Sequence, residues 1–182
     1  MPQPLPAGKG ITTVSPPKRL LKRPKLASLI GTIASEWGYI DDCLVDIFEG
    51  VVSEKATRDK VAVTVFETLS SLHMRLELLS KILHLLAPEH IRDEFDKKVS
   101  PLLRKAASER NKIVHGAWEI SDDYPDDLIL KEAGGRLTRW TEKDLENSLD
   151  RIMPARAAAH KMAIAVQFIS KDRQQTRPRQ RR

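Results

Sequence analysis

The stretch Glu109-Arg110-Asn111-Lys112-Ile113-Val114-His115-Gly116-Ala117-Trp118-Glu119-Ile120-Ser121 is where the apolar pattern of the chain changes period. Before it, Leu102, Leu103, Ala106, Ile113 and Val114 recur at helical spacing. After it, residues 117–121 have the content of a short strand. Gly116 stands at the junction, a natural residue just past a helix C-terminus. Ser100-Pro101 reads as an N-cap followed by proline in the first turn. The spacing therefore predicts a helix from 101 to about 115, either fresh or a kinked continuation of what precedes it.

Working outward, Ile30, Ile33, Trp37, Ile40, Leu44 and Ile47/Phe48 predict a first helix from Ser28, its N-cap, to Phe48. Gly31 and Gly38 lie inside it, each at a cost of about 1 kcal/mol against alanine, tolerable where another helix approaches closely. Gly50 is expected to end it. A second helix is predicted over about 57–86, with a stripe through Val61, Val65, Phe66, Leu69, Leu72, Leu76, Leu79, Ile82, Leu83 and Leu86. Pro88 opens a shorter one through Ile91, Phe95 and Val99.

Downstream, 127–131 and 136–140 read as short strands, with Gly134-Gly135 as a turn. Thr141 is the clearest helix start. Asp144 at N3 can close a capping box, and Trp140 can staple against Leu145. The face continues through Leu149, Ile152, Ala157, Met162, Val166 and Ile169, while Pro154 is expected to kink or divide it. These elements predict an all-α protein, a four- to five-helix bundle with a small β-hairpin inserted before the last helix.

The 182 residues carry a net charge of +6, but its distribution is uneven. Residues 1–27 hold six Lys/Arg and no acid; residues 171–182 hold six Lys/Arg and one Asp. That leaves 28–170 with 19 basic against 24 acidic residues, net −5. Three parts are expected: a Pro-rich basic disordered tail (1–27), a helical domain (28–170) and a second basic disordered tail (171–182). Basic arms of this kind add salt-sensitive, sequence-independent attraction to nucleic acid, but no aromatic residue interleaves with these charges to give a stacking platform. One cysteine, Cys43, excludes an intrachain disulfide framework. The start has no apolar core of a secretory signal, and no apolar run approaches the roughly 18 residues that span a bilayer. A cytoplasmic protein, with no membrane partner, is expected.

No phosphate-binding glycine loop, CxxC pair or serine elbow is present. His73 and Glu77 share a helix face at i, i+4 without a third ligand, and His84, His90 and His160 have no ligand spacing. No metal and no cofactor are expected. What remains is Arg110, Asn111 and His115.

This set resembles the signature of the HEPN superfamily (higher eukaryotes and prokaryotes nucleotide-binding domains): an arginine, a polar residue after it, and a histidine four to six residues on. The resemblance extends loosely over 28–170. It implies a HEPN-type helical bundle, a homodimer meeting through the Arg110–His115 region, and metal-independent endoribonuclease activity of toxin or defence type, with RNA as substrate and an antitoxin protein as partner. It is equally compatible with a catalytically inactive relative that binds RNA or a protein.

The residue types suit that chemistry. Cleavage by the RNA's own 2′-hydroxyl needs one proton removed and another delivered to the 5′-oxygen, and a histidine can do either. Arginine offers a planar, always charged fork for the charge developing on phosphorus. Asn111, at i, i+4 from His115, can orient phosphate or ring. Arg110 and His115, however, are roughly 140° apart on a straight helix. They converge only if the helix stops near 114, or if a second subunit brings its own copies. The same residues also have structural uses: Arg110 pairing with Glu109, Asn111 bonding the backbone as the helix ends, His115 packing under Trp118.

Overall fold

The structure of the chain, a computed structural model, describes residues 1–5, 11–16, 18–52, 60–132 and 134–176. Six helices and five strands are described: β1 (Gln3–Pro4), β2 (Thr13–Val14), α1 (Pro24–Val52), α2 (Lys60–Glu67), α3 (Leu72–Leu86), α4 (Glu89–Glu94), α5 (Ser100–Val114), β3 (Ala117–Ser121), β4 (Tyr124–Lys131), β5 (Leu137–Trp140) and α6 (Glu142–Thr176). The chain divides into two compact units, one of Met1–Glu36 with Ser108–Met153, the other of Trp37–Ala107 with Pro154–Arg182.

The first unit overturns the expected all-α fold. Its strands form one five-stranded antiparallel sheet in the order β1-β5-β4-β3-β2, not a small inserted hairpin. The centre of the sheet is the stretch read as strands from the sequence. Trp118 faces Leu130 across β3 and β4, and Leu128 faces Trp140 across β4 and β5. Asp127, Leu128, Ile129 and Leu130 are all buried, so β4 is covered on both faces, as a central strand is. Between β4 and β5, Gly134 and Gly135 take φ of 88° and 81°, a region that side-chain-bearing residues rarely enter.

The sheet's two edges come from the segment expected as a disordered tail. β1 pairs with β5 (Gln3 with Arg139), and β2 pairs with β3 (Thr13 with Ser121, Val14 with Ile120). Each edge strand is two residues long, too short to display a period-2 pattern, and each sits among prolines that normally mark a chain as unpaired. Residues 6–10 and 17 of that segment lie outside the described residues, as do 177–182 of the expected C-terminal tail; residues 171–176 continue α6. The core of this unit includes Leu26, Ile33, Ile113 and Leu145, with Trp118 and Trp140 meeting edge to face at 5.6 Å.

The second unit is helical and differs from the sequence reading in its breaks. The expected helix over 57–86, whose residues 57–59 lie outside the described residues, is two helices. Ser71 accepts a hydrogen bond from the Met74 N–H and caps α3, so the apolar stripe hid a Ser70-Ser71 break. The opposite holds at Ser100-Pro101. Residues Phe95–Val99 form a π-helical turn in which the Ser100 N–H reaches Phe95 O, and the helix runs on into α5. A widened turn accommodates a proline that has no N–H to donate. Pro154 likewise lies within α6, which is not divided. The core includes Ile40, Leu44, Leu79, Leu83 and Leu103, with Phe48 stacked on Phe66 at 4.6 Å.

The glycines of α1 behave differently from expectation. A Cβ at Gly31 or Gly38 would meet nothing within 4 Å, so no helix approaches there. Gly50 does not end the helix; a Cβ there would come within 2.8 Å of Val166 Cγ1. Gly31→Ala and Gly38→Ala are expected to stabilise the protein by about 0.5–1 kcal/mol each. Gly50→Ala should destabilise it through overpacking, by about 1–3 kcal/mol. Chemical denaturation of the three variants checks the signs.

At the start of α6 the capping box forms as read: the Thr141 N–H donates to Asp144 Oδ2 (3.1 Å) and the Asp144 N–H to Thr141 Oγ1 (3.2 Å). Burial alone would push the Asp144 carboxyl up. The Thr141 N–H and hydroxyl and the Met1 ammonium outweigh it, and the carboxyl is held below its ordinary value. A lowered carboxylate contributes stability above its unfolded-state value and loses it as pH falls through the folded one. Unfolding from about pH 6 to about pH 3 is therefore expected to show a smaller acid-induced loss in Asp144→Asn than in the parent, with Thr141→Ala costing about 1 kcal/mol near neutrality.

Candidate functional site

α5 ends at Val114, and that end builds the site. The last four carbonyls of a helix lack intrahelical donors. Here the His115 N–H still reaches Asn111 O at 3.2 Å, while the Trp118 indole N–H donates to Ile113 O at 2.8 Å. The indole thus replaces the backbone donor that residue 117 would supply if the helix continued. Gly116 makes the exit possible through close approach rather than a left-handed backbone: a Cβ there would sit 2.4 Å from Leu130 Cδ1 and 2.7 Å from Lys112 O.

Stopping the helix brings Arg110 and His115 together. Arg110 Nη1 lies 2.7 Å from His115 Nε2 and donates at 2.9 Å to Asn111 Oδ1. The three residues proposed from the sequence therefore meet within one chain, with no second copy needed to bring them into contact. Arginine has no acceptor, so the contact requires Nε2 to be the unprotonated nitrogen of the ring. Asn111 and His115 are exposed and Arg110 is half-buried, so a ligand has access to the cluster.

Two residues absent from the sequence reading, Ser148 and Arg151, engage Glu109, which the sequence offered as a partner of Arg110. Glu109 accepts from Ser148 Oγ (2.7 Å) and from Arg151 Nε (3.1 Å) and Nη2. The acid next to Arg110 is thereby committed to α6. Ser148 and Arg151, three apart on one face of α6, are the pattern that could have signalled this clamp. Lys112 lies 3.5 Å from Glu132 and over the Trp140 ring, so its charge is met locally. Arg110 is the motif cation that touches His115.

Three of the other four histidines have protein partners. His73 takes an Arg104 N–H on Nδ1 at 2.7 Å, His84 Nε2 meets Asp96 at 2.6 Å, and His160 Nδ1 meets the Tyr39 hydroxyl at 2.6 Å. A guanidinium on His73 opposes metal binding at the His73/Glu77 pair. Among the described residues no cluster of three or more His, Cys, Asp or Glu side chains could hold a metal ion. No helix among them is long and apolar enough to cross a membrane.

No family model matches the chain, and no curated protein or solved structure matches it either. The site is read from its own geometry.

Gly116→Ala is expected to destabilise the first unit by about 1–3 kcal/mol and to pull His115 away from Arg110. Thermal unfolding together with the NMR shifts of the His115 ring would show both; an unshifted ring in a stable variant would contradict the close-approach role.

Proposed function

We propose that this chain is a metal-independent endoribonuclease in which His115 moves the proton, Arg110 binds the scissile phosphate and stabilises the charge that develops on it, and Asn111 positions the two. The observation that supports this reading is the 2.7 Å approach of Arg110 Nη1 to His115 Nε2 at an accessible helix end.

A phosphodiester entering the cluster offers Arg110 an anionic, bidentate partner better than a neutral ring nitrogen. As the fork turns to the phosphate, Nε2 is released to take the proton of the 2′-hydroxyl. The O2′–P bond forms and the P–O5′ bond breaks. The products are a 2′,3′-cyclic phosphate and a 5′-oxygen that takes a proton from water or from a second copy's imidazolium. A homodimer through this region would serve by providing that second histidine. A reducing, cytoplasmic setting accords with the free, buried Cys43 and with a toxin or defence role held in check by an antitoxin protein.

The net −5 of residues 28–170 favours a second reading, a catalytically inactive module that holds RNA or a protein partner on the same surface. Incubating the chain with single-stranded RNA in EDTA separates the two. Cleavage to cyclic phosphate ends is expected, falling by about 10²–10⁴-fold in His115→Ala and about 10²–10³-fold in Arg110→Ala. Arg110→Lys should not restore the rate, because an ammonium lacks the fork. An inactive parent, or variants that cleave at the parental rate, overturns the catalytic reading. A specific activity independent of protein concentration would remove the second copy from the mechanism.

A further inference from the structure

Residues 18–25 carry five cations, Lys18, Arg19, Lys22, Arg23 and Lys25, and no acid. The structure does not leave them on a free tail. β2 is paired to β3, a 3-10 turn over Arg19–Lys22 follows, and the Arg19 guanidinium donates to the Trp118 carbonyl. Trp118 is also the residue whose indole caps α5 through Ile113 O. One buried residue, 3% exposed, therefore ties the basic turn, through its carbonyl, to the helix end that carries Arg110 and His115, through its indole.

The five cations are not equivalent. Arg19 is bound to Trp118, Arg23 donates to Lys22 O at 3.1 Å, and Lys25 lies 3.8 Å from Glu142. Lys18 and Lys22 are exposed and have no ion-pair partner among the described residues. Lys18 is moreover held at φ 59°, a left-handed conformation that non-glycine residues rarely adopt.

We infer that Lys18 and Lys22 form a phosphate-backbone track for single-stranded RNA, so that the substrate extends past the cleaved bond along the basic turn. This rests on the ribonuclease reading for the cleaved bond, but the track itself is a binding property. Two point charges on a turn tied through Arg19 and Trp118 to the end of α5, on a unit whose remainder is not basic, match a chain of regularly spaced anions better than a mononucleotide. With no aromatic residue between positions 18 and 25, there is nothing for bases to stack on, so the track reads charge and not sequence.

The test uses the full chain, a 12-nucleotide single-stranded RNA and a dinucleotide. In Lys18→Asn/Lys22→Gln, where asparagine tolerates the left-handed backbone, the Kd for the 12-mer is expected to rise roughly tenfold at low salt. The slope of log K against log salt should shrink by about 1.4, the value for two single-strand phosphate contacts. The preference in kcat/KM for the 12-mer over the dinucleotide should fall by a similar factor. Lys97→Gln, a charge removed from the second unit, should match the parent, and His115→Ala should retain 12-mer binding. A parental Kd and salt slope in the double variant overturns the track even if the parent cleaves RNA, as does a parent that binds no 12-mer. A parent that binds the 12-mer through Lys18 and Lys22 without cleaving it overturns the ribonuclease reading alone. Equal loss of binding to anionic phosphatidylserine vesicles, with RNA binding unchanged, reassigns the turn to a membrane surface and also overturns the track.

Discussion

Trp118 sits at the one place where a helix must become a strand, and its indole N–H satisfies a carbonyl that this change orphans. The bond from Nε1 to Ile113 O is 2.8 Å long and lies in the core. A buried acceptor left without a donor costs about 1–3 kcal/mol, so the helix end and the first central strand are fixed as one piece. The same residue gives its carbonyl to Arg19 and sets its ring at right angles to that of Trp140. Sheet register, helix termination and the position of the N-terminal segment thus share a single anchor. Gly116 is the complement to this anchor, since any side chain there would be driven into Leu130 and the Lys112 carbonyl.

The candidate site is a consequence of that junction. On an uninterrupted helix, Arg110 and His115 would point in directions roughly 140° apart. Because α5 stops at Val114, His115 swings back to within hydrogen-bond distance of the guanidinium. The Glu109–Ser148–Arg151 clamp holds the neighbouring acid on α6. Fold and site are therefore coupled: the residues that end the helix also position His115.

Much of this was legible from single residues. The Thr141–Asp144 capping box, the glycine turn at 134–135 and the three strands from 117 to 140 were readable because each depends on local chemistry. Arg110, Asn111 and His115 were likewise singled out, and their meeting depended on a helix end that Gly116 suggested. The β1 and β2 edges were not readable. Two-residue strands have no period, and their partners are more than 100 residues away along the chain. The break at Ser70-Ser71 was masked by an apolar stripe that continues across it. The run through Ser100-Pro101 failed in the other direction, because a local stop signal was absorbed by a π-helical turn. The Glu109 clamp joins residues about forty positions apart, and the i, i+3 spacing of Ser148 and Arg151 was its only local trace.

The charge division carries the remaining argument. Had the basic N-terminal segment been a free tail, its cations would act only through a diffuse, rapidly screened field. Pinned by β2 and by Arg19, Lys18 and Lys22 gain fixed positions relative to Trp118, and through it relative to the end of α5. A positioned charge beside an acidic domain can select where a polyanion lies, whereas a floating one only raises its local concentration. The sheet edge that the sequence concealed therefore bears on function as well as on fold. It turns a composition bias into charges held on the same compact unit as the arginine and histidine that the helix end brings together.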